Sequence, residues 1–230
     1  MKPRNLKAAR LKHGWRQVEA ARRLHVSQPY LAMLEKGKRR LTDNLARKAA
    51  RVYGLSPEEL PVPETFTPAR EAGAARLVED LSRLDYPGFA YVRSHVKRRN
   101  PREVLLNVLA QENLEARVAE ALPWLLLQYW RMDFDWLVEQ AKRCDLQNRL
   151  GFVASLARRL SERTAETERT RALSSLEAML DRSRLVREGS FPRAPRNPAE
   201  REWLMHNRPE EARHWNMLSD LQPEHLQYVE

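Results

Sequence analysis

The sequence predicts an all-α fold in two parts, a small basic N-terminal domain and a larger helical one. Three observations carry that expectation. Apolar residues make up 42% of the 230 positions, enough for a buried core, yet there are only seven glycines to make the tight turns that sheets need. The apolar residues recur at helical spacing through most of the chain. Three prolines between Pro61 and Pro68 interrupt that periodicity and mark a semi-rigid boundary. The expected divisions are residues 1–64, a linker and connecting segment over 65–100, and a helical domain over 101–230.

The first block reads as five short helices. The first runs from Asn5 to Lys12. Arg16 to Leu24 carries Val18, Ala21 and Leu24 at helical spacing, and Val26-Ser27 then puts a serine where an N-cap belongs. The helix begun at Ser27 has Leu31 and Leu34 on one side and closes at Lys36-Gly37-Lys38. Thr42 can cap the next, whose stripe is Leu45, Ala49, Val52 and Tyr53, ended by Gly54. Ser56-Pro57-Glu58-Glu59 combines a cap, a proline at the first helical position and acids in the first turn.

Beyond the boundary, Arg70 to Leu84 reads as helical and Pro87-Gly88 as a turn, with Phe89 to Val92 open between a short strand and helix. Glu115 to Tyr129 carries Val118, Ala121, Leu122, Leu125, Leu126 and Tyr129 on one face. Its phase survives Pro123, so a kink is expected rather than a stop. Phe134, Leu137, Val138 and Ala141 mark a helix over Asp133 to Cys144, and Leu150, Val153 and Ala157 mark one over Leu146 to Leu160. Thr167 to Arg187 reads as a more polar outer helix, and Gly189 to Pro198 as a break. Proline-initiated turns follow at Arg208-Pro209 and Gln222-Pro223. A bundle or a HEAT-like stack fits such helix pairs, and no fixed-period repeat is found.

The formal charge of +10 is concentrated. Residues 1–64 hold 15 Lys and Arg against 6 Asp and Glu, whereas residues 65–230 hold 26 against 25. A basic domain of this kind attracts polyanions. No stretch approaches the roughly 18 uncharged apolar residues of a membrane span, and no apolar leader follows the basic start. The single Cys144 precludes an internal disulfide. A cytoplasmic protein that neither enters nor crosses a membrane is the expectation.

Residues 16–37, RQVEAARRLHVSQPYLAMLEKG, resemble the Xre/Cro/cI repressor-type helix-turn-helix family at Gln17, Ala21, Leu24, Val26, Ser27, Leu31, Leu34, Glu35 and Gly37. The resemblance covers residues 4–60 and implies a five-helix lambda-repressor-like domain that binds double-stranded DNA. It implies that Ser27 caps the recognition helix, that Gln28 in its first turn reads a base, and that Gln17 clamps a phosphate. Pro29, Tyr30, Ala32 and Met33 would lie on the DNA-facing side. Lys36, Lys38, Arg39 and Arg40 would meet the phosphate backbone, positioning the protein without reading sequence. Arg10 and Glu35 would form the family's structural ion pair. Arg16 stands where a capping Thr or Ser is usual, and His25 stands at the turn glycine, a position that favours positive φ.

For the remainder the sequence offers no convergent catalytic set, metal site or cofactor motif, so an enzyme is not expected. His206, Glu210, Glu211 and His214 have ligand-like spacing, but Pro209 interrupts their helix. Trp124, Trp130 and Trp136 read as core or interface, and they motivate a helical domain that associates with a second chain. Arg93, His95, Lys97, Arg98, Arg99 and Arg102 form a second basic cluster near Phe89 and Tyr91, which reads either as a contact to DNA phosphates beyond the helix-turn-helix or, as charge runs more often are, as a solvated face. The whole points to a transcriptional repressor that binds a pseudo-palindromic operator as a homodimer. The rival expectation is an antitoxin whose C-terminal domain neutralises a toxin-type enzyme.

Overall fold

The computed structural model describes residues 3–69 and 73–226. It divides into two compact units, Met1–Pro63 and Glu64–Glu230. Among the described residues, regular structure comprises twelve α-helices and one pair of two-residue strands, so the fold is all-α.

The N-terminal unit holds α1 (Pro3–Lys12), α2 (Gln17–Leu24), α3 (Gln28–Glu35) and α4 (Asp43–Val52). The fifth expected helix is a single 3-10 turn, Pro57–Glu59, too short to close an α-helical bond ladder. Ser27 Oγ accepts the Tyr30 N–H and Thr42 Oγ1 the Leu45 N–H, each at 3.4 Å, and these caps set where α3 and α4 begin. The α2–α3 joint turns at His25, whose φ of 54° lies in the left-handed region, and the Val26 N–H reaches back to Ala21 O. A histidine thus takes the conformation that glycine adopts most readily. Leu6, Ala20, Ala21, Leu24, Leu31, Leu34, Ala49 and Tyr53 form the core. Val18, expected on the buried stripe, is 68% exposed because the inward face of α2 is built on Ala20, Ala21 and Leu24 instead.

Tyr53 is an odd member of that core. Its hydroxyl is buried without a hydrogen-bond partner, and burial pushes its pKa up to about 12. An unpartnered buried hydroxyl costs about 1–3 kcal/mol, so Tyr53→Phe is expected to raise the stability of this unit by about 1 kcal/mol. Thermal unfolding of the full chain checks this, and a lowered N-terminal transition would show that the hydroxyl has a stabilising role.

The larger unit is built around α9 (Gln147–Arg163), buried on every side over residues 150–157, with Leu150, Phe152, Val153, Ala154, Leu156 and Ala157 all inaccessible. Around it pack α7 (Ala116–Gln128), α8 (Phe134–Arg143) and α10 (Thr167–Asp181). Pro123 lies inside α7, which continues through it. From α10, Leu173, Leu176 and Leu180 face the core. This helix ends at Asp181 rather than at Arg187. Asn148 explains the early stop: its side-chain amide both donates to Leu185 O and accepts from Leu185 N at 2.8 Å, fixing that stretch as a loop.

Residues 65–100, expected as a linker and connecting segment, contribute to this same core. Phe66, Leu77, Leu81, Leu84, Tyr86 and Phe89 join α6 (Pro101–Leu109) and α7 in one apolar cluster. The helix expected from Arg70 is α5 (Ala74–Ser82), and residues 70–72 lie outside the described residues. Pro87–Phe89 is a 3-10 turn, in line with the turn expected at Pro87-Gly88, and residues 90–92 continue as neither strand nor helix.

The tail adds α11 (Pro198–Asn207), α12 (Glu210–His214) and a 3-10 turn at Pro223–His225. Within the expected break, β1 (Gly189–Ser190) pairs in parallel with β2 (Met217–Leu218). Two residues per strand are too few to leave a period-two signal in sequence.

Candidate nucleic-acid interface

In the candidate interface, one chain of hydrogen bonds joins residues of three helices. Arg10 on α1 sends Nε to Glu35 Oε1 at 2.6 Å and Nη2 to Glu35 Oε2 at 3.0 Å, a two-pronged ion pair in which both residues are buried. Arg10 Nη1 also donates to Trp15 O at 2.9 Å. Glu35, at the end of α3, accepts from Gln17 Nε2 at 2.9 Å, and Gln17 Oε1 accepts from Gln28 Nε2 at 3.1 Å. Burial alone would push the Glu35 carboxyl up, but the hydrogen bonds from Arg10 and Gln17 outweigh it and hold Glu35 below the ordinary carboxylate range. The same hydrogen bond raises Arg10.

This chain has a chemical consequence at its open end. Gln28 is exposed in the first turn of α3, and one of its two amide hydrogens is engaged by Gln17. One donor and the carbonyl acceptor remain, which is the pair that the N7 and N6 edge of adenine requires. Gln17 is half-buried at the start of α2, tied to both neighbours.

Ser27 and Pro29 are exposed beside Gln28, while Ala32 and Met33 are half-buried on the side away from Leu31 and Leu34. Tyr30 is half-buried and packs against the domain core, so part of its ring is committed to structure. Lys36, Lys38, Arg39 and Arg40 are all exposed just past α3. Lys36, Lys38 and Arg39 form no ion pair among the described residues, which leaves their charge for an outside anion. On the other end of α2, Arg23 lies 4.1 Å over the Trp15 ring, itself stacked on His13 at 4.5 Å. No spacing in the sequence announces either that stack or the Gln28–Gln17–Glu35 link.

Trp124 and Trp136 pack against the core of the larger unit, one of the two readings the sequence allowed. Trp124 packs edge-on against Tyr86 at 5.2 Å, and Trp136 packs edge-on against Phe66 at 5.9 Å with Arg102 over its face. Trp130 is half-buried beneath Arg131. Tyr86 and Phe66, from the segment over 66–89, thus cover part of Trp124 and Trp136 from within the same unit. The exposed tryptophan is Trp203 on α11, 53% accessible, beside Met205. Trp203, Leu204 and Met205 are consecutive, so a helix cannot turn all three inward, and only Leu204 is buried. His206 and His214 do not converge: His206 Nδ1 lies 2.8 Å from Glu202 O, and His214 Nε2 lies 2.9 Å from Asp181.

Residues 6–60 match the helix-turn-helix family model. That region is a helix-turn-helix domain of the Xre/Cro/cI type, and the match supports a DNA-binding regulator. No curated protein and no solved structure matches the chain. Among the described residues no helix is long and apolar enough to cross a membrane.

Proposed function

We propose that the protein is a sequence-specific transcriptional regulator of the cytoplasm, a repressor, with α3 as its reading helix and Gln28 as a base-reading side chain. The observation that carries this reading is the exposed Gln28 amide, oriented through Gln17 and Glu35 to the buried Arg10. A side chain fixed before binding loses less freedom on contact, and a well-made bidentate contact discriminates by about 1–3 kcal/mol. A lone unit of this size gains little from one half-site. The reading therefore includes a homodimer on a pseudo-palindromic operator, with two copies of α3 one helical turn apart. It assigns the chain no reaction.

The test begins with duplexes selected in vitro from a random pool by the full chain. Gln28→Ala is expected to lose about 1–3 kcal/mol on the selected duplex and little on random DNA at the same salt. Arg39→Ala is expected to weaken both equally and to lower the slope of log affinity against log salt by about 0.9. Equal losses from Gln28→Ala on both duplexes would remove it as a reader. Light scattering at micromolar concentration tests the dimer, and a monomeric mass with and without selected duplex would remove that part of the reading.

A further inference from the structure

Tyr91 to Lys97, YVRSHVK, crosses the larger unit between the 3-10 turn at Pro87–Phe89 and α6, with no helix and no strand partner. Its burial alternates. Tyr91, Arg93, His95 and Lys97 are exposed, while Val92, Ser94 and Val96 are half-buried. The alternation puts one face of the segment on the protein, between a turn at Tyr91 and a bend at Val96.

The inward face is anchored at several points. Val92 packs against the apolar core and accepts a hydrogen bond from Ser82 Oγ at 3.0 Å. The Val96 N–H is bonded by Ser94 Oγ. Past the end of the run, Arg98 reaches both Asp85 carboxylate oxygens at 2.9 and 2.8 Å, and Arg99 reaches Asp80 at 3.1 Å. The charges in this neighbourhood thus fall into two sets. Arg98, Arg99 and Arg102 are engaged with carboxylates. Arg93 and Lys97 form no ion pair among the described residues, and Tyr91 is 70% exposed beside them.

We propose that Tyr91, Arg93, His95 and Lys97 form a second DNA-contacting strip, on the larger unit, that grips phosphates without reading sequence. Arg93 and Lys97 lie four residues apart, on either side of a bend at Val96, and can meet separate phosphates. The tyrosine hydroxyl supplies a neutral donor of the kind that phosphates also accept. DNA is the polyanion favoured over an anionic membrane or an acidic protein because the same chain carries the helix-turn-helix unit. Once that unit is bound, its tether holds the strip at high effective concentration near the flanking duplex. The inference rests on the DNA-binding reading of the N-terminal unit and adds contacts to it.

The experiment measures salt-dependent binding of the full chain to a random-sequence duplex about 40 base pairs long, where phosphate contacts dominate. The double variant Arg93→Ala/Lys97→Ala is expected to have a salt slope shallower by about 1.8, or about 0.9 per lost contact. Its affinity deficit against the parent chain should therefore shrink about twelvefold between 50 mM and 200 mM salt. Arg93→Lys/Lys97→Arg should keep the parent slope, and all forms should share one thermal unfolding profile, since these side chains are exposed. An unchanged slope in the alanine pair, with Arg39→Ala still lowering it, overturns the strip and leaves the DNA-binding reading intact. If neither change moves the slope, the DNA-binding reading itself fails, and the strip with it. Loss of binding to phosphatidylserine vesicles, with the DNA slope unchanged, assigns the segment to a membrane surface and likewise overturns the proposal.

Discussion

Trp215→Ala is expected to lower the stability of the larger unit by about 3–5 kcal/mol, the range for emptying a buried tryptophan site. Trp215 heads the fully buried side chains by volume, with 1% of its surface accessible. It follows α12 and lies flat over Gly151 on the central helix α9, where a methyl group would come within 2.4 Å of the indole. Its Nε1 donates to Ser155 Oγ at 2.7 Å, one turn further along α9, and Ser155 Oγ passes the bond on to Gly151 O at 3.0 Å. One side chain thereby fixes both the contact of α12 with α9 and the start of β2, two residues later. Gly151→Ala is expected to cost about 1–3 kcal/mol alone, by overpacking against the ring. Combined with Trp215→Ala it should cost less than the sum, because the cavity accepts the methyl. Calorimetry of the full chain measures both. Additive losses would show that Gly151 and Trp215 do not share one packing site.

How much of this was legible in the sequence depended on whether the determinant was local. Ser27, Thr42 and Pro57 act within one turn of themselves, so helix starts in the first unit could be placed from residue type. The stripes of α7, α8 and α9 were equally visible, because a core-facing helix must repeat its apolar residues. What failed was non-local. Nothing near Arg184 announces that Asn148, 37 residues before Leu185, captures it and stops α10. Phe66 and Tyr86 looked like linker residues, and only tertiary contact makes them the cover over Trp136 and Trp124. At the candidate interface the family pattern supplied Gln17, Gln28 and the Arg10–Glu35 ion pair as three separate assignments. Their union in one hydrogen-bonded chain is geometry: Gln28 donates to Gln17, and Gln17 donates to Glu35.

That union makes Glu35→Ala the most damaging change expected in the N-terminal unit, at about 3–5 kcal/mol. The substitution leaves the buried Arg10 guanidinium with the Trp15 carbonyl but without its carboxylate. Net stabilities run to roughly 0.05–0.15 kcal/mol per residue, or about 3–9 kcal/mol for a unit of this size, so the loss takes from about a third to all of its folding free energy. The pair also sets an acid limit. Glu35 is held below its ordinary value of 4.5, so its stabilisation is fully present above that pH and is lost as pH falls through the folded-state value. Glu35→Gln should flatten the acid limb of the N-terminal unfolding transition. Replacing both partners, as Arg10→Met/Glu35→Leu, is expected to recover most of the stability, because the cost of Glu35→Ala is chiefly a buried charge left unpaired. The recovered fold should still bind selected DNA poorly, since a leucine side chain in place of Glu35 offers Gln17 no acceptor and Gln28 is no longer steadied through it. Its binding to random DNA should be near that of the parent chain. Thermal unfolding and binding to selected and random duplexes measure the two effects separately. A double variant that regains stability and also keeps full discrimination would show that the ion pair serves folding alone, and that Gln28 is positioned without it.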